Sequence, residues 1–448
     1  MTSPMSEPTS RLLIRGGHLI DPAHGLDQPG DLLIEGARIV GIETEPGRLR
    51  THDADRTIDA EGLFVTPGLL DIHVHLREPG PQHDETIATG TAAAIAGGFT
   101  TVCCMPNTTP ALDSPELVEL VRTRAVEAGN ARVFPVACAT VNRKGGDLTE
   151  VDALARAGAV GISDDGDVVA DAGVMERALR AARASDLCFM QHCQDPEATR
   201  GAAMNDGPVC ERLGLIGWPK VAEESIIERD IALNRAIGAR YHAQHLSSGE
   251  SAAIIRRARA AGVVVTGEVS PHHLLLTDEA CESLGPMAKM NPPLRTEADI
   301  AQLKAAVADG TITVLATDHA PHPLKTKTVP FAEASFGIVG LECALPLYIR
   351  ALIHDHVIDW TRLIAMMTIE PARLVGLDER GFGQLRIGGP ADVTLIDPAE
   401  RWTIDMNAFR STGRNCPFHG WEVTGRAVGV IVDGRVRLNR RDERAAHS

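Results

Sequence analysis

Aromatic residues are scarce in this 448-residue chain, at 3% against 44% for all hydrophobic residues. The core must therefore be packed mainly by Ala, Val, Leu and Ile, as in alanine-rich helices over strands of β-branched residues. Positive charge is also in the minority, because 44 Lys and Arg face 60 Asp and Glu, for a net charge of −16. This balance argues against nucleic acid or an anionic membrane surface as a partner.

Motifs of several other chemistries are absent. The chain has no Gly-x-x-x-x-Gly-Lys loop, no Gly-x-Ser-x-Gly and no His-Glu-x-x-His, and Gly381-Phe382-Gly383 reaches Arg386 where a dinucleotide fingerprint has its third glycine. No apolar run approaches the ~18 residues of a membrane span. The nine cysteines are scattered without a Cys-x-x-Cys, and the first residues lack a secretion signal. We therefore expect a protein of the cytoplasm with reduced thiols.

The two ends of the chain share one sequence pattern, in which short apolar strands are separated by glycine-containing turns. Residues 11–66 have this pattern, and it returns in 391–396 and 428–434. Because chain termini commonly lie close in space, we predict one composite β-sandwich module from residues 1–66 and 386–448. Two separate β domains are the alternative. From Arg437 the polar, basic tail is predicted to be disordered.

The middle of the chain alternates strand-like and helical stretches. Counting from the strand that ends near His73, the sequence contains eight strand-like segments with helical patterns between most of them. Eight strands favour a (β/α)₈ TIM-like barrel over an open doubly wound α/β sheet. We predict that this barrel occupies residues 67–385.

The predicted strands end in polar residues that can bind metals. Active sites of such barrels lie at the carboxyl ends of the strands. His73 and His75 end the first strand, and alternation points both the same way. The other strand ends carry His192, His245, Asp318 and the pair Asp164-Asp165, with Ser270-Pro271-His272-His273 after the seventh.

Each of these residues, taken alone, can also be explained as a strand-end residue that caps the next helix or forms a hydrogen bond to a loop. Alternation favours His242 and His319 as structural residues that turn away from the site, while His272 and His273 are left undecided. Taken together, however, these polar groups at one barrel mouth predict a shared metal site.

At this point the motifs resemble those of the cyclic amidohydrolases, and within them the class I dihydroorotases. The segments that carry the resemblance are DIHVHLREPG (71–80), MPNT (105–108), SDDG (163–166), QHC (191–193), HLSS (245–248), EVSPHHLLLTD (268–278), KMNPPLR (289–295), ATDHAPH (316–322), FGIVGLE (336–342) and GGPADVTLID (388–397).

The resemblance implies a two-zinc hydrolase of cyclic amides that closes N-carbamoyl-L-aspartate into (S)-dihydroorotate in pyrimidine (UMP) biosynthesis. It assigns His73, His75 and Asp318 to one zinc and His192 and His245 to the other. Many relatives bridge the metals with a carbamylated lysine, but no lysine lies on the fourth strand here. The resemblance to the class I pattern implies an aspartate of that loop as the bridge, and the family's spacing to His192 favours Asp165 over Asp164, which parity alone does not settle.

For the substrate and the reaction, the resemblance implies further roles. Asp318 is the catalytic acid and base. Substrate-binding residues are expected to be His75, Arg77, Asn107, Asn291, His322, Phe336 and Gly337, of which Arg77, Asn107 and His322 hold the carboxylate.

Two alternatives remain open. One is another cyclic amidohydrolase, a hydantoinase or allantoinase, whose ring needs no carboxylate clamp. The other is an inactive subunit of this type that supports aspartate carbamoyltransferase. That transferase is a possible partner of an active enzyme too, and we expect a homo-oligomer.

Overall fold

Five strands open the chain in the computed structural model of the protein, which describes residues 10–45, 47–50 and 54–445. They are β1 (Arg11–Asp21), β2 (Leu26–Glu35), β3 (Arg38–Glu43), β4 (Arg56–Asp59) and β5 (Phe64–Pro67). β2 pairs antiparallel with β1 and β3, whereas β4 and β5 pair parallel with β1. Leu19, Ile34 and Val65 are buried in the core of this sheet, as the apolar texture predicted.

The next ten strands include a closed parallel barrel. In chain order they are β6 (Leu69–Val74), β7 (Phe99–Cys104), β8 (Arg132–Cys138), β9 (Gly161–Ser163), β10 (Cys188–Gln191), β11 (Met204–Asn205), β12 (Gly217–Trp218), β13 (Tyr241–Ala243), β14 (Val265–Val269) and β15 (Val314–Leu315). β11 and β12 pair with each other, and the other eight form one sheet in sequence order. A parallel bridge between Val74 and His319 closes the ring from last strand to first.

Helices lie between the barrel strands and follow the last of them. They are α1 (Ile87–Gly97), α2 (Pro115–Ala128), α3 (Val151–Ala157), α4 (Ala172–Ala184), α5 (Pro208–Leu213), α6 (Val221–Ile237), α7 (Gly249–Ala260), α8 (Pro271–Leu275), α9 (Glu279–Leu284), α10 (Glu297–Ala308), α11 (Ala344–Tyr348), α12 (Trp360–Met366) and α13 (Ile369–Leu374). Thr86 caps α1 in a capping box and Gly98 ends it at φ +100°. In the described part of the chain, no helix is both long and apolar enough to cross a membrane.

The last strands return to the first sheet. They are β16 (Val393–Thr403), β17 (Glu422–Val432) and β18 (Arg435–Asn439), followed by the short helix α14 (Arg440–Ala445). β16 pairs antiparallel with β5, so the strands of both chain ends join in one sheet in the order β18-β17-β16-β5-β1-β2-β3, with β4 beside β1. The predicted architecture, a barrel plus a β module built from both ends, is confirmed. The boundaries at 66/67 and 385/386 stay a prediction.

The expectation of a disordered tail from Arg437 is wrong up to Ala445. Residues 435–439 form β18, which pairs antiparallel with β17, and α14 follows. The physical reason is the alternation of Val436 and Leu438, two apolar side chains that pack against the hydrophobic cores while Arg435 and Arg437 face outward. A count of basic residues alone does not reveal that apolar and basic residues alternate along this strand.

A charged joint ties the barrel to the chain-end sheet. Arg132, at the start of β8, donates from Nε to Asp392 Oδ2 (2.7 Å) and from a terminal nitrogen to Asp433 Oδ1 (2.9 Å). Asp392 also accepts from the backbone N–H of Asp433 (2.7 Å), and its side chain is only 6% exposed. Removing the guanidinium would leave a nearly buried carboxylate without its cation.

We predict that Arg132→Met lowers the free energy of unfolding by ~2 kcal/mol or more, because the remaining Asp392 charge stays desolvated. Urea titration followed by circular dichroism measures the change. Arg180→Met, which removes a half-exposed pair with Glu176 on α4, is the matched control and should cost less than ~0.5 kcal/mol. Equal losses in the two variants would contradict a special role for this joint.

Candidate metal centre and substrate cavity

The end of β6 brings two histidines to the barrel mouth. His73 and His75 are separated by one residue, so both side chains leave the strand on the same side, and their ring centroids lie 5.4 Å apart. Both are buried. His75 continues the barrel by donating its backbone N–H to His319 O (2.9 Å).

Four other strand ends complete a cluster of potential metal ligands. Three overlapping triplets each offer ligand atoms that lie within 4.8 Å of one another: His73, His75 and Asp165; Asp165, His192 and His245; and His73, His245 and Asp318. All six members are buried. The structure therefore places every predicted metal ligand in one group, although the residues span 246 positions of sequence, from 73 to 318.

Asp165 lies at the centre of this group. Its Oδ1 is 3.4 Å from His73 Nε2, 3.6 Å from His192 Nδ1 and 3.8 Å from His245 Nε2, and its Oδ2 is 3.5 Å from His75 Nε2. Oδ2 is buried and has no hydrogen-bond partner among the described residues. A buried carboxylate oxygen without a hydrogen-bond partner, surrounded by imidazole nitrogens, is suited to bind a divalent cation. Nitrogen and oxygen atoms of this kind are common ligands of zinc.

Asp164 has a different place. Its Oδ1 accepts from the backbone N–H groups of Ala139 and Thr140 (both 3.0 Å), and its Oδ2 accepts from the Thr140 hydroxyl. Consecutive residues after β9 thus point in opposite directions, one into the loop and one toward the histidines. Of the two candidates for the bridge, only Asp165 is close to the predicted ligands.

Glu268 is a member of the site that our reading of the sequence did not single out. This buried residue of β14 lies 2.5 Å from His73 Nδ1 through Oε1, which also accepts the backbone N–H of His245 (3.0 Å). Holding Nδ1 of His73 fixes the ring so that Nε2 faces Asp165 and Asp318. The sequence signal that could have identified Glu268 is an acidic residue within Val265–Val269, a strand whose residues are mostly buried.

The expectation that His242 faces the helices is wrong. Its Nε2 lies 3.0 Å from Glu268 Oε2, inside the barrel, and Nδ1 lies 2.7 Å from Thr266 Oγ1. The prediction counted alternation back from His245, but β13 ends at Ala243 and His245 has φ +30°. The strand period therefore does not extend to His245. His319 does turn away, since its Nδ1 accepts from the backbone N–H of Gly340 (3.1 Å).

The seventh-strand histidines lie beside the cluster. His273 donates from Nε2 to Pro292 O (3.0 Å), which is a loop contact. His272 is buried, and its Nε2 has no partner among the described residues. Burial lowers the pKa of His272 to about 4, so this imidazole is neutral at physiological pH.

Charges of opposite sign hold the cluster together. Burial acts against charging His73, but the carboxylates of Glu268, Asp165 and Asp318 raise its pKa well above the usual value. Burial likewise opposes ionisation of Asp318, yet His73 and His75 keep its pKa far below the normal range. The pKa of Glu268 is held at about 2, against its burial, chiefly by His73. These carboxylates are therefore ionised at neutral pH and available to a cation.

A cavity of about 250 Å³ opens on the cluster. It is lined by five of the cluster residues and by the predicted substrate residues: His75, Asp165, His192, His245, Asp318, Arg77, Asn107, Asn291, His322, Phe336 and Gly337. Arg77 has a terminal nitrogen 3.5 Å from His322 Nε2, and His75 Nδ1 donates to Asn107 Oδ1 (2.8 Å). The Nε of Arg77 is buried and has no partner among the described residues.

The electrostatics of the cavity single out one cation. Burial lowers the pKa of His322 to about 3, and Arg77 adds to the effect, so the imidazole is neutral. Burial also lowers the pKa of Arg77, but from 12.5, and the guanidinium keeps its charge. The cavity thus offers a fork suited to a carboxylate next to a group of metal-type ligands.

The chain is similar to known proteins in both sequence and fold. A model described as dihydro-orotase-like matches residues 62–251. The dihydroorotase of Syntrophotalea carbinolica is 45% identical over 426 residues, which cover 95% of this chain and 98% of that protein. The dihydroorotase of Geobacter sp. strain M21 is 44% identical over the same shares.

Among solved structures, the L-hydantoinase of Arthrobacter aurescens superposes with a TM-score of 0.85 over 96% of both chains. Because the sequence identity is 23%, this similarity shows a shared fold and nothing further. The D-hydantoinase of a Thermus species gives a TM-score of 0.81 at 25% identity over 96% of this chain and 95% of that one. The extent and identity of the sequence matches decide between these relatives: the chain belongs to the dihydroorotase family.

Proposed function

We propose that this chain is a zinc-dependent dihydroorotase, which interconverts N-carbamoyl-L-aspartate with (S)-dihydroorotate and water in pyrimidine biosynthesis. The observation that carries the proposal is the pairing, in one cavity, of a buried His and Asp cluster with the Arg77 guanidinium, whose Nε has no partner among the described residues. A cyclic amide that bears a carboxylate needs both parts, one for the reacting carbonyl and one for recognition.

The donor set supports two metals in each chain. His73, His75 and Asp318 would hold one zinc, His192 and His245 the other, and Asp165 would bridge them. When bound, the metals would supply Lewis acidity, polarising the acyl carbonyl and lowering the pKa of water from ~15.7 towards ~7. Glu268, through His73, would keep the first imidazole in place for this task.

Asp318 would handle the proton. Its Oδ1 lies 2.9 Å from His75 Nε2 at the wall of the cavity, so it reaches both the cluster and a bound substrate. In hydrolysis Asp318 takes a proton from the attacking water and returns it to the departing ring nitrogen. In the reverse direction the same residue removes a proton from the carbamoyl nitrogen and releases it with water.

Recognition of the substrate carboxylate would fall to Arg77, Asn107 and His322. The guanidinium can make two charge-assisted hydrogen bonds, and it supplies positive charge that the chain as a whole, at −16, does not. Asn291, Phe336 and Gly337 line the part of the cavity where the ring would lie.

Two rival functions have weaker support. A hydantoinase would be expected to bridge its metals with a lysine, and the central position of this cluster is held by Asp165. An inactive supporting subunit would be expected to have lost ligands, and here all six lie together.

The nine cysteines are free and buried, which supports the proposed cytoplasmic location. A homo-oligomer and a partnership with aspartate carbamoyltransferase stay predictions.

We predict that the zinc-loaded chain hydrolyses dihydroorotate with a kcat/KM at least ~100-fold above that for hydantoin or allantoin, because those rings leave the Arg77 fork without a carboxylate. Steady-state assays of the three compounds on one preparation measure the ratio. Turnover of hydantoin or allantoin at or above the rate for dihydroorotate would contradict the proposal.

We predict that Asp318→Asn lowers kcat by ~10² to 10⁴ or more, because the amide cannot take up a proton. Thermal melting should show that the variant is folded. Asp186→Asn is the matched control, since this aspartate is 91% exposed, pairs with Arg240 and belongs neither to the cluster nor to the cavity lining, so it should leave kcat unchanged. Near-normal turnover by Asp318→Asn would refute the role given to this residue.

A further inference from the structure

Asn415 holds two segments of the cavity wall from outside the barrel strands. It lies in the segment between β16 and β17 and is fully buried. Its side-chain oxygen accepts from the backbone N–H of His322 (3.0 Å), and its side-chain nitrogen donates to Ala320 O (2.8 Å) and Gly337 O (3.0 Å). One amide therefore satisfies three backbone groups on two separate segments.

All three of these backbone partners line the cavity. Gly337 also donates its N–H to Lys289 O (3.0 Å) and has φ +137°, a conformation that L side chains rarely adopt. A Cβ added to Gly337 would lie 2.8 Å from Ala320 O and 2.9 Å from His322 Cδ2. There is thus no room for a side chain between Gly337 and the His322 ring, and Asn415 holds the backbone of both residues.

The segment that carries Asn415 is itself anchored. Ser411 donates its backbone N–H to Glu342 Oε1 (3.0 Å), and its hydroxyl donates to Glu85, just before α1. Thr412 donates its backbone N–H to Glu85 Oε1 (3.2 Å). Asn415 is therefore presented from a fixed support.

We infer that Asn415 is a positioning residue for recognition of the substrate carboxylate, acting through His322 and Gly337. The inference rests on the proposed function and adds a residue to it. An amide suits this position because it offers one acceptor and two donors at once, whereas a serine hydroxyl has one donor and a carboxylate has none.

The first test is a comparison of KM and kcat for dihydroorotate in Asn415→Ser. We expect KM to rise about tenfold with kcat within about threefold, as for the loss of hydrogen bonds that place a binding group. Asn407→Ser is the matched control, since Asn407 is exposed on the same segment and should change neither constant. An unchanged KM in Asn415→Ser would overturn the inference.

The second test asks whether the effect passes through His322. In a double-mutant cycle, Asn415→Ser should raise KM by a clearly smaller factor in the His322→Ala background, where only the bond to Gly337 still contributes, than in the Arg77→Met background, where the full factor remains. A purely structural role would give the same factor in both backgrounds, and that result would also overturn the inference.

Amide hydrogen exchange separates this inference from the proposed function. The His322 N–H, which donates to Asn415, should exchange faster in Asn415→Ser and at the wild-type rate in Asn407→Ser. If the wild-type chain did not hydrolyse dihydroorotate, the proposed function would fail while the exchange rates still tested the positioning. Should Asn415→Ser not fold, Asn415→Asp, of the same shape but without donors, replaces it. Failure of both variants to fold would contradict a role confined to the cavity.

Discussion

The hydrogen bond between Glu268 and His73 joins β14 to β6 across the barrel, and the arrangement of the site depends on it. Glu268 also accepts the backbone N–H of His245 and contacts His242, so one carboxylate fixes parts of three strands. Its negative charge, buried beneath the cluster, helps to keep His73 in contact with Asp165 and Asp318. A buried carboxylate with such partners is stable, whereas the same group alone would be costly.

The chain-end module takes part in the site as well as in the fold. At one end of the barrel, Arg132 of β8 pairs with Asp392 and Asp433, which flank β16 and β17. At the mouth, Asn415 from between the same two strands holds the backbone of His322 and Gly337. The barrel supplies the cluster, and the module supports one wall of the cavity beside it.

Much of this arrangement followed from the sequence, because simple periods determine it. Alternation along β6 placed His73 and His75 on one side, and the rule that parallel strands meet at their carboxyl ends brought His192, His245 and Asp318 to the same region. Asp165 needed more than periodicity, since the choice over Asp164 came from spacing to His192 shared with a known family.

The parts that the sequence did not reveal are those that depend on contacts between distant segments. Glu268 and Asn415 act through single hydrogen bonds to residues far along the chain, and neither belongs to a repeated pattern. His242 was misplaced because alternation was extended past the end of β13, where the positive φ of His245 breaks it. The expectation of a disordered tail from Arg437 is wrong because it rests on the basic charge of this segment. The alternation of the apolar residues Val436 and Leu438, which predicts a strand, is not considered in it.

We propose that histidines and aspartates from five strand ends bind metal ions that the reaction requires. The decisive experiment is a titration of chelator-stripped protein with Zn²⁺ in which bound zinc and hydrolysis of dihydroorotate are followed on the same samples. We expect no turnover in the stripped protein and a rise that is complete at about two zinc ions per chain. Full turnover in protein shown to contain no bound divalent metal would contradict it.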